Sequence, residues 1–319
     1  MYDHILVPLD CSALAEGALP HAIALAKVFD AKITLLHVLD EPRSGALRES
    51  VNPLTWQIEK AEAQSYLEAV QKRLIGTGLP VEHQILEGKA AQRILEFAEN
   101  SGVDLIVISS HGASGLSPWN ISSTVQKVIQ GAYLPLLLVR AYKCPDSDWN
   151  NLQYKRLQVL LDGSSRSEAI LPLAETIARQ HDSTLLLSQV VNRPELQCRI
   201  PISHEESQLS DQLVERHRER GEQYLNDLAC QLSVLAEKRL LVASSAPAAL
   251  HELAEQEAVD LVLISAHGHS GNAKIPYGSL SLNFIIYGTT PLLILQDFPK
   301  ENIQPRTAEQ ISAKENRTS

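Results

Sequence analysis

Residues 264–280 read ISAHGHSGNAKIPYGSL. The apolar run leading into them, Asp260-Leu-Val-Leu-Ile264, stops at Ser265 and opens into a polar loop containing glycine. From Gly278-Ser279 a second apolar segment begins with helical spacing. Strand, loop and helix N-terminus in that order can cradle phosphate: the loop offers backbone N–H groups and the helix end adds partial positive charge. A matching stretch lies earlier, ISSHGASGLSPWNISST at 108–124. The rest of the chain reads as support for these two loops.

A chain of 319 residues is long for one ordinary domain, and two of about 150 residues each is the natural expectation. The 44% hydrophobic content suffices for two cores, and 5% aromatics makes those cores aliphatic, as in parallel sheets flanked by helices. A formal net charge of −10, without any Lys/Arg-rich run, argues against nucleic acid or an anionic membrane as partner. Cys11, Cys144, Cys198 and Cys230 are far apart with no C-x-x-C pair, which suits a reducing compartment. MYDHILVPLD lacks the pattern of a signal peptide. No apolar run reaches the ~18 to 20 residues that a bilayer requires. A soluble, cytoplasmic protein is expected.

In chain order, the run at 4–9 reads as a buried strand ending at Asp10-Cys11-Ser12, a helix start. Residues 13–29 have helical spacing, which Pro20 should kink or delay. A strand at 33–39, a loop at 40–53, a long helix at 54–75, a strand at 81–86, a helix at 90–99 and a strand at 103–109 follow. After the glycine loop come a helix from about Ser122 and a strand at 135–140. Strands alternating with helices, and apolar throughout, specify a parallel, doubly wound sheet covered on both faces. Residues 141–153 read as a linker, and the pattern then restarts. An offset of 152 carries Val7, Asp10, Ser12, Glu16 and Leu19-Pro20 onto Val159, Asp162, Ser164, Glu168 and Leu171-Pro172. An offset of 156 carries His111-Gly112, Ser123 and Pro135-Leu-Leu onto His267-Gly268, Ser279 and Pro291-Leu-Leu. Constant offsets over such lengths mark a tandem duplication. The expected domains are 1–143 and 153–298, each an open five-stranded parallel sheet of Rossmann-like α/β kind, with a polar, disordered tail at 299–319.

The openings ILVPLD and VLLDGS, the segments DLIVISSHG and DLVLISAHG, and the closing strands LPLLLV and TPLLIL together resemble the universal stress protein family in its tandem form. The resemblance covers nearly all of residues 1–298. It implies an adenine-nucleotide-hydrolase-like fold, and closing strands that pair with each other, here within one chain, with a further homodimer open. ATP-binding members carry glycine, two residues, glycine, nine residues, glycine, then serine or threonine. The second repeat has Ser265, Gly268, Gly278 and Ser279 at those positions; the first has Ser109, Gly112, Ser122 and Ser123. Serine adds a Cβ where glycine lets a ligand approach, although its hydroxyl can serve a ribose or phosphate. Residues 113–121 contain no cation, whereas 269–277 contain His269 and Lys274, so the second repeat is the better site.

By resemblance, adenine lies against Leu160, Leu161, Asp162 and Val190, the ribose near Ile264 and Ser265, and phosphates on Gly268, Gly278, Ser279 and Leu280, with His267 and Lys274 alongside. The matching positions of the first repeat are Pro8, Leu9, Asp10, Val38, Ile108, Ser109, Gly112, Ser122, Ser123 and Thr124. The implied cofactor is ATP, with or without magnesium. Asp10 and Asp162 fit two roles, holding magnesium or polar ligand groups, and capping the helix that follows. No catalytic base stands out, so at most slow ATP hydrolysis is expected. The Gly268-His-Ser-Gly271 and Gly112-Ala-Ser-Gly115 segments are one residue short of a nucleophile elbow. His267 and His269 lack further ligands at zinc spacing, and His111 and His267 should bond within their loops. Cys11 at a helix start favours a thiolate but is more simply an inert small residue. The expected function is a stress-response regulator that binds an adenine nucleotide. The alternative is a nucleotide-free scaffold, a chaperone-like module, or a cleft for another small ligand.

Overall fold

The computed structural model describes residues 2–39, 53–113, 115, 121–141, 149–193, 204–269 and 275–297. Most of the loop expected at 40–53, most of the linker and the tail lie outside them. The first repeat runs β1 (His4–Pro8), α1 (Ala13–Glu16), α2 (Leu19–Phe29), β2 (Lys32–Leu39), α3 (Pro53–Ile75), β3 (Val81–Glu87), α4 (Ala90–Asn100), β4 (Leu105–Ser109), α5 (Ser123–Gly131) and β5 (Leu136–Val139). The second repeats it: β6 (Arg156–Leu161), α6 (Ser165–Glu168), α7 (Leu171–His181), β7 (Thr184–Asn192), α8 (His204–Gln231), β8 (Ala236–Ala243), α9 (Ala246–Gln256), β9 (Leu261–Ser265), α10 (Ser279–Tyr287) and β10 (Leu292–Leu295).

The strands are apolar throughout because both faces are used. Along β1, Ile5 and Val7 face one core layer and Leu6 the other. On β4, Leu105 and Val107 alternate in the same way with Ile106 and Ile108. One layer holds Ile23, Leu67, Ile177 and Leu225 from α2, α3, α7 and α8. The other holds Ile94, Val125, Leu250 and Phe284 from α4, α5, α9 and α10. Pro20 delays the helix as expected: α1 closes at Gly17, and α2 restarts at Leu19 with the proline in its first turn, where a missing N–H costs nothing.

Among the described residues, ten strands form one sheet, in the order β3-β2-β1-β4-β5-β10-β9-β6-β7-β8. Pairing is parallel everywhere except at the centre, where β5 and β10 run antiparallel, with Leu292, Leu293 and Ile294 opposite Leu138, Leu137 and Leu136. Each closing strand is thereby covered by its counterpart, as the apolar character of both required. Arg140, 1% exposed, reinforces this seam by donating to Phe284 O (2.6 Å), Ile285 O (3.0 Å) and Thr290 O (3.4 Å). A cation at the C-terminus of α10 meets the negative end of its dipole and carbonyls that the helix leaves open. On the opposite face of the sheet, Tyr154, just before β6, meets His21 Nδ1 of α2 at 2.8 Å and packs edge-on against His181 of α7.

In each half the strand order reverses direction between the first and fourth strands, β1 and β4 or β6 and β9. Their carboxyl ends therefore diverge and leave a crevice, the place where open α/β sheets take ligands.

Candidate functional site

In the first repeat, the crevice is a cleft of about 80 Å³ whose walls include Pro8, Leu9, Asp10, Val38, Ile108, Ser109, Gly112, Ser122 and Thr124. Those are nine of the ten positions expected there; Ser123 stands beside them as the first residue of α5, exposed. In the second repeat, Leu160 and Ile264 are buried in one apolar layer, with Val190 and Leu280 packed against it. Ser265 ends β9, Asp162, His267 and Gly268 follow on the loops, and Gly278 and Ser279 make the start of α10. Lys274 lies outside the described residues.

Asp10 and Asp162 do not cap the helices that follow. That is done by Ser12, whose Oγ accepts from Ala15 N–H, and by Ser164, whose Oγ accepts from Ser167 N–H. The aspartates instead clasp two loops together. One oxygen of Asp162 accepts from the backbone and hydroxyl of Ser164 (3.0 and 2.6 Å), and the other from His269 N–H (2.7 Å). Asp10 does the same with Ser12 (3.2 and 2.6 Å) and Ala113 N–H (2.6 Å). Burial acts to raise the Asp162 carboxyl, but the bonds from Ser164, His269 and Ser167 outweigh it and hold the group below the usual carboxylate range. The clasp also accounts for the glycines. A Cβ on Gly112 would overlap Asp10 Oδ2 and lie 2.7 Å from its Cγ; one on Gly268 would overlap Asp162 Oδ2 and lie 3.0 Å from its Cγ. Neither glycine has a positive φ, so close approach of the carboxylate is the reason for both.

The helix starts differ between the repeats. Ser122 caps α5 with its own side chain, Oγ accepting from Val125 N–H at 3.3 Å. At Gly278 no side chain caps α10, so its first-turn N–H groups are left to solvent or a ligand. A Cβ there would meet Ala266 O at 3.3 Å. The serines at the first signature glycine are both buried. Ser265 Oγ reaches Ser167 O at 3.5 Å, while Ser109 Oγ is buried without a hydrogen-bond partner.

His267 bonds within its loop, as expected, through Nε2 to Ile275 O (2.6 Å), and meets Asp297 Oδ1 through Nδ1 (2.7 Å). Both ring nitrogens thus face oxygen atoms, one from the loop that precedes α10 and one from the chain after β10. His111 Nδ1 meets Ser110 Oγ at 3.1 Å. At the 156 offset, Asp297 corresponds to Ala141 and Arg140 to Gln296; unlike pairs at the ends of like strands are the signal in the sequence that sets both residues apart. Cys11 is no thiolate: burial, then Asp10 and Glu16, push its pKa up to about 11. It also holds a left-handed φ of 63°, where the second repeat has Gly163 at 81°.

A sequence profile of the universal stress protein family matches residues 1–140 and again 153–296. A universal stress protein of Methanocaldococcus jannaschii is 35% identical over 144 residues, covering 45% of this chain and 85% of the relative. One from Bacillus subtilis is 31% identical over 150 residues, covering 44% and 100%. A universal stress protein structure from Archaeoglobus fulgidus superposes with a TM-score of 0.63 at 18% identity, covering 92% of this chain and 98% of that one. Each curated relative thus corresponds to one repeat, and the Archaeoglobus structure spans both.

Proposed function

The chain belongs to the universal stress protein family, and from that premise we propose that it binds an adenine nucleotide, ATP, in the second repeat and acts as a ligand-dependent regulator. The observation that carries this reading is the start of α10. Gly278 leaves the helix without a side-chain cap, directly beyond the end of β9, where its N–H donates to Ala266 O at 2.7 Å. In the first repeat the corresponding helix is closed by its own serine. His267, paired with Asp297, holds Ile275 O three residues before Gly278, and the sequence supplies Lys274 next to Ile275 as a cation for a phosphate chain. His269 N–H is already taken by Asp162, so phosphate contacts fall on the α10 end rather than on the start of the loop. Adenine would lie against Leu160, Leu161 and Val190, with the ribose near Ile264.

A second reading, a scaffold without nucleotide, has its own support: Ser265 Oγ is directed to Ser167 O inside the protein. Mass spectrometry of small molecules released from the denatured protein, followed by titration of ATP into wild type and Gly278→Trp, separates the two. Micromolar binding that the substitution removes supports the nucleotide site. Absence of saturable binding leaves the scaffold.

A further inference from the structure

A second cavity, of about 410 Å³, lies between α2, α7 and the stretch 149–153 that leads into β6. It shares no wall residue with the crevice of the first repeat. We propose that this cavity binds a small organic acid that also carries a hydroxyl group, with the carboxylate at Lys27, the hydroxyl toward His181 and an apolar body between them. The proposal is independent of the nucleotide reading.

The cavity arises where the two repeats are joined. Pro20, Ala24 and Lys27 of α2, four and three residues apart and so on one side of that helix, form one wall. The end of α7, from the other repeat, supplies Gln180 and His181. Residues 149–153 complete it, and 149–152 fall between the two segments that match the family profile. The wall is held in place without a ligand. Trp149, 8% exposed, has the Arg73 guanidinium 3.4 Å from its ring centroid, and Lys27 Nζ donates to Asn150 O at 3.3 Å. Volume and fixed walls suit a small-molecule site.

The wall's chemistry selects the class. Its side chains include no carboxylate among the described residues, and Lys27 is the cation. An ammonium has three donors, and this one spends one on Asn150 O, so it can receive a carboxylate. An ion pair at an exposed lysine is weak by itself, so the rest of the molecule has to contribute. Trp149, Leu152, Pro20 and Ala24 offer apolar surface to its body.

An unpaired polar atom marks the other end. His181 Nε2 is buried and has no hydrogen-bond partner, which is unfavourable until something supplies one. Burial also lowers the pKa of this ring, so it is neutral at pH 7. Nε2 of a neutral imidazole is a donor in one tautomer and an acceptor in the other, and a hydroxyl serves either. Tyr154 meets His21 at the start of α2 and packs against His181. His181 therefore sits near the first turn of α2, and Lys27 stands about 10 Å further along the helix. Acid and hydroxyl belong at opposite ends of the ligand, the form of para-hydroxyphenylpropionate.

Titrating that compound into the full chain tests the proposal, followed by the indole N–H resonance of Trp149, assigned through Trp149→Phe. The resonance should move saturably, with a Kd of about 1 mM or tighter for a molecule of this size. Lys27 is exposed, so Lys27→Met leaves the fold intact and should weaken binding about fivefold. Phenylpropionate, which lacks the hydroxyl, should bind about fivefold more weakly. Gly278→Trp should bind the compound as wild type does. An unmoved Trp149 resonance overturns the proposal. So does equal affinity for phenylpropionate, or for para-hydroxyphenethylamine, which carries an ammonium in place of the carboxylate. Binding that Gly278→Trp abolishes would put the compound in the second crevice and overturn it as well. None of these results bears on ATP, whose reading fails only if wild type takes up no ATP that Gly278→Trp loses.

Discussion

Replacing Arg140 by methionine removes a charged donor from the seam while keeping most of the side-chain volume, so the loss reports on hydrogen bonds rather than on a cavity. Three carbonyls lose a partner. Phe284 O keeps one, because Gly288 N–H also reaches it at 3.0 Å. That leaves Ile285 O and Thr290 O, at about 1 kcal/mol each, and the interaction of a cation with a partly buried helix C-terminus, about 1 kcal/mol. The expected destabilisation is about 3 kcal/mol, roughly a 150-fold shift in the unfolding equilibrium. Arg140→Ala should cost about 1 to 2 kcal/mol more through the space it leaves. Gly288→Ala attacks the same contact from the other side, since its Cβ would lie 2.8 Å from Arg140 Nη2 and 2.5 Å from Phe284 O. Urea unfolding followed by circular dichroism measures the totals, and amide exchange along α10 locates them. If Arg140→Met unfolds within 0.5 kcal/mol of wild type and α10 exchanges at the normal rate, the guanidinium is a passenger and the account of the seam fails.

Three further outcomes follow from the same geometry. His21 is held neutral by burial, its pKa lowered to about 4, whereas the unfolded chain protonates near 6.5; stability should be complete above pH 6.5 and fall by up to about 3 kcal/mol as pH drops to 4. His21→Gln should flatten that slope in acid titrations of the unfolding midpoint. Cys11→Gly relieves a left-handed residue where the second repeat already uses glycine, and a gain of about 0.5 to 1 kcal/mol by chemical denaturation is expected, against a loss if the conformation carries no strain. Gly268→Ala forces a Cβ onto the Asp162 carboxylate and should cost about 1 to 3 kcal/mol. Measured again in an Asp162→Ala background, that cost should largely vanish; equal losses in both backgrounds would dismiss the clasp.

Much of the architecture was legible because it depends on local pattern. Strands such as LIVIS and LVLIS are buried on both faces, so their composition alone announces a parallel sheet, and constant offsets announce the repeat. Pro20 delayed its helix as proline must. The crevice positions came from the resemblance, residue by residue, and in the first repeat they fall at the ends of β1, β2 and β4 and at the start of α5. What escaped depended on contacts between distant residues. Asp10 and Asp162 look like caps until their partners Ala113 and His269, 103 and 107 residues away, are in place. Arg140 reads as the polar end of a strand, and only the seam shows it reaching a helix 144 residues further on. Tyr154 stands just past the stretch that read as a linker, where no pattern singles it out. Cys11 was within reach, since the 152 offset lays it on Gly163, and a glycine in one repeat warns of positive φ in the other.

The antiparallel pairing of β5 with β10 has a consequence for how the molecule can diversify. A surface that joins two identical subunits about a two-fold must complement itself, so every substitution appears on both sides at once. Here the two sides are encoded separately. Arginine at 140 can face the helix end on the other side while glutamine at 296 turns inward to Pro276 O, and aspartate can stand at 297 where alanine suffices at 141. Fusion frees each half from mirroring the other, so the two crevices need not be lined by the same groups.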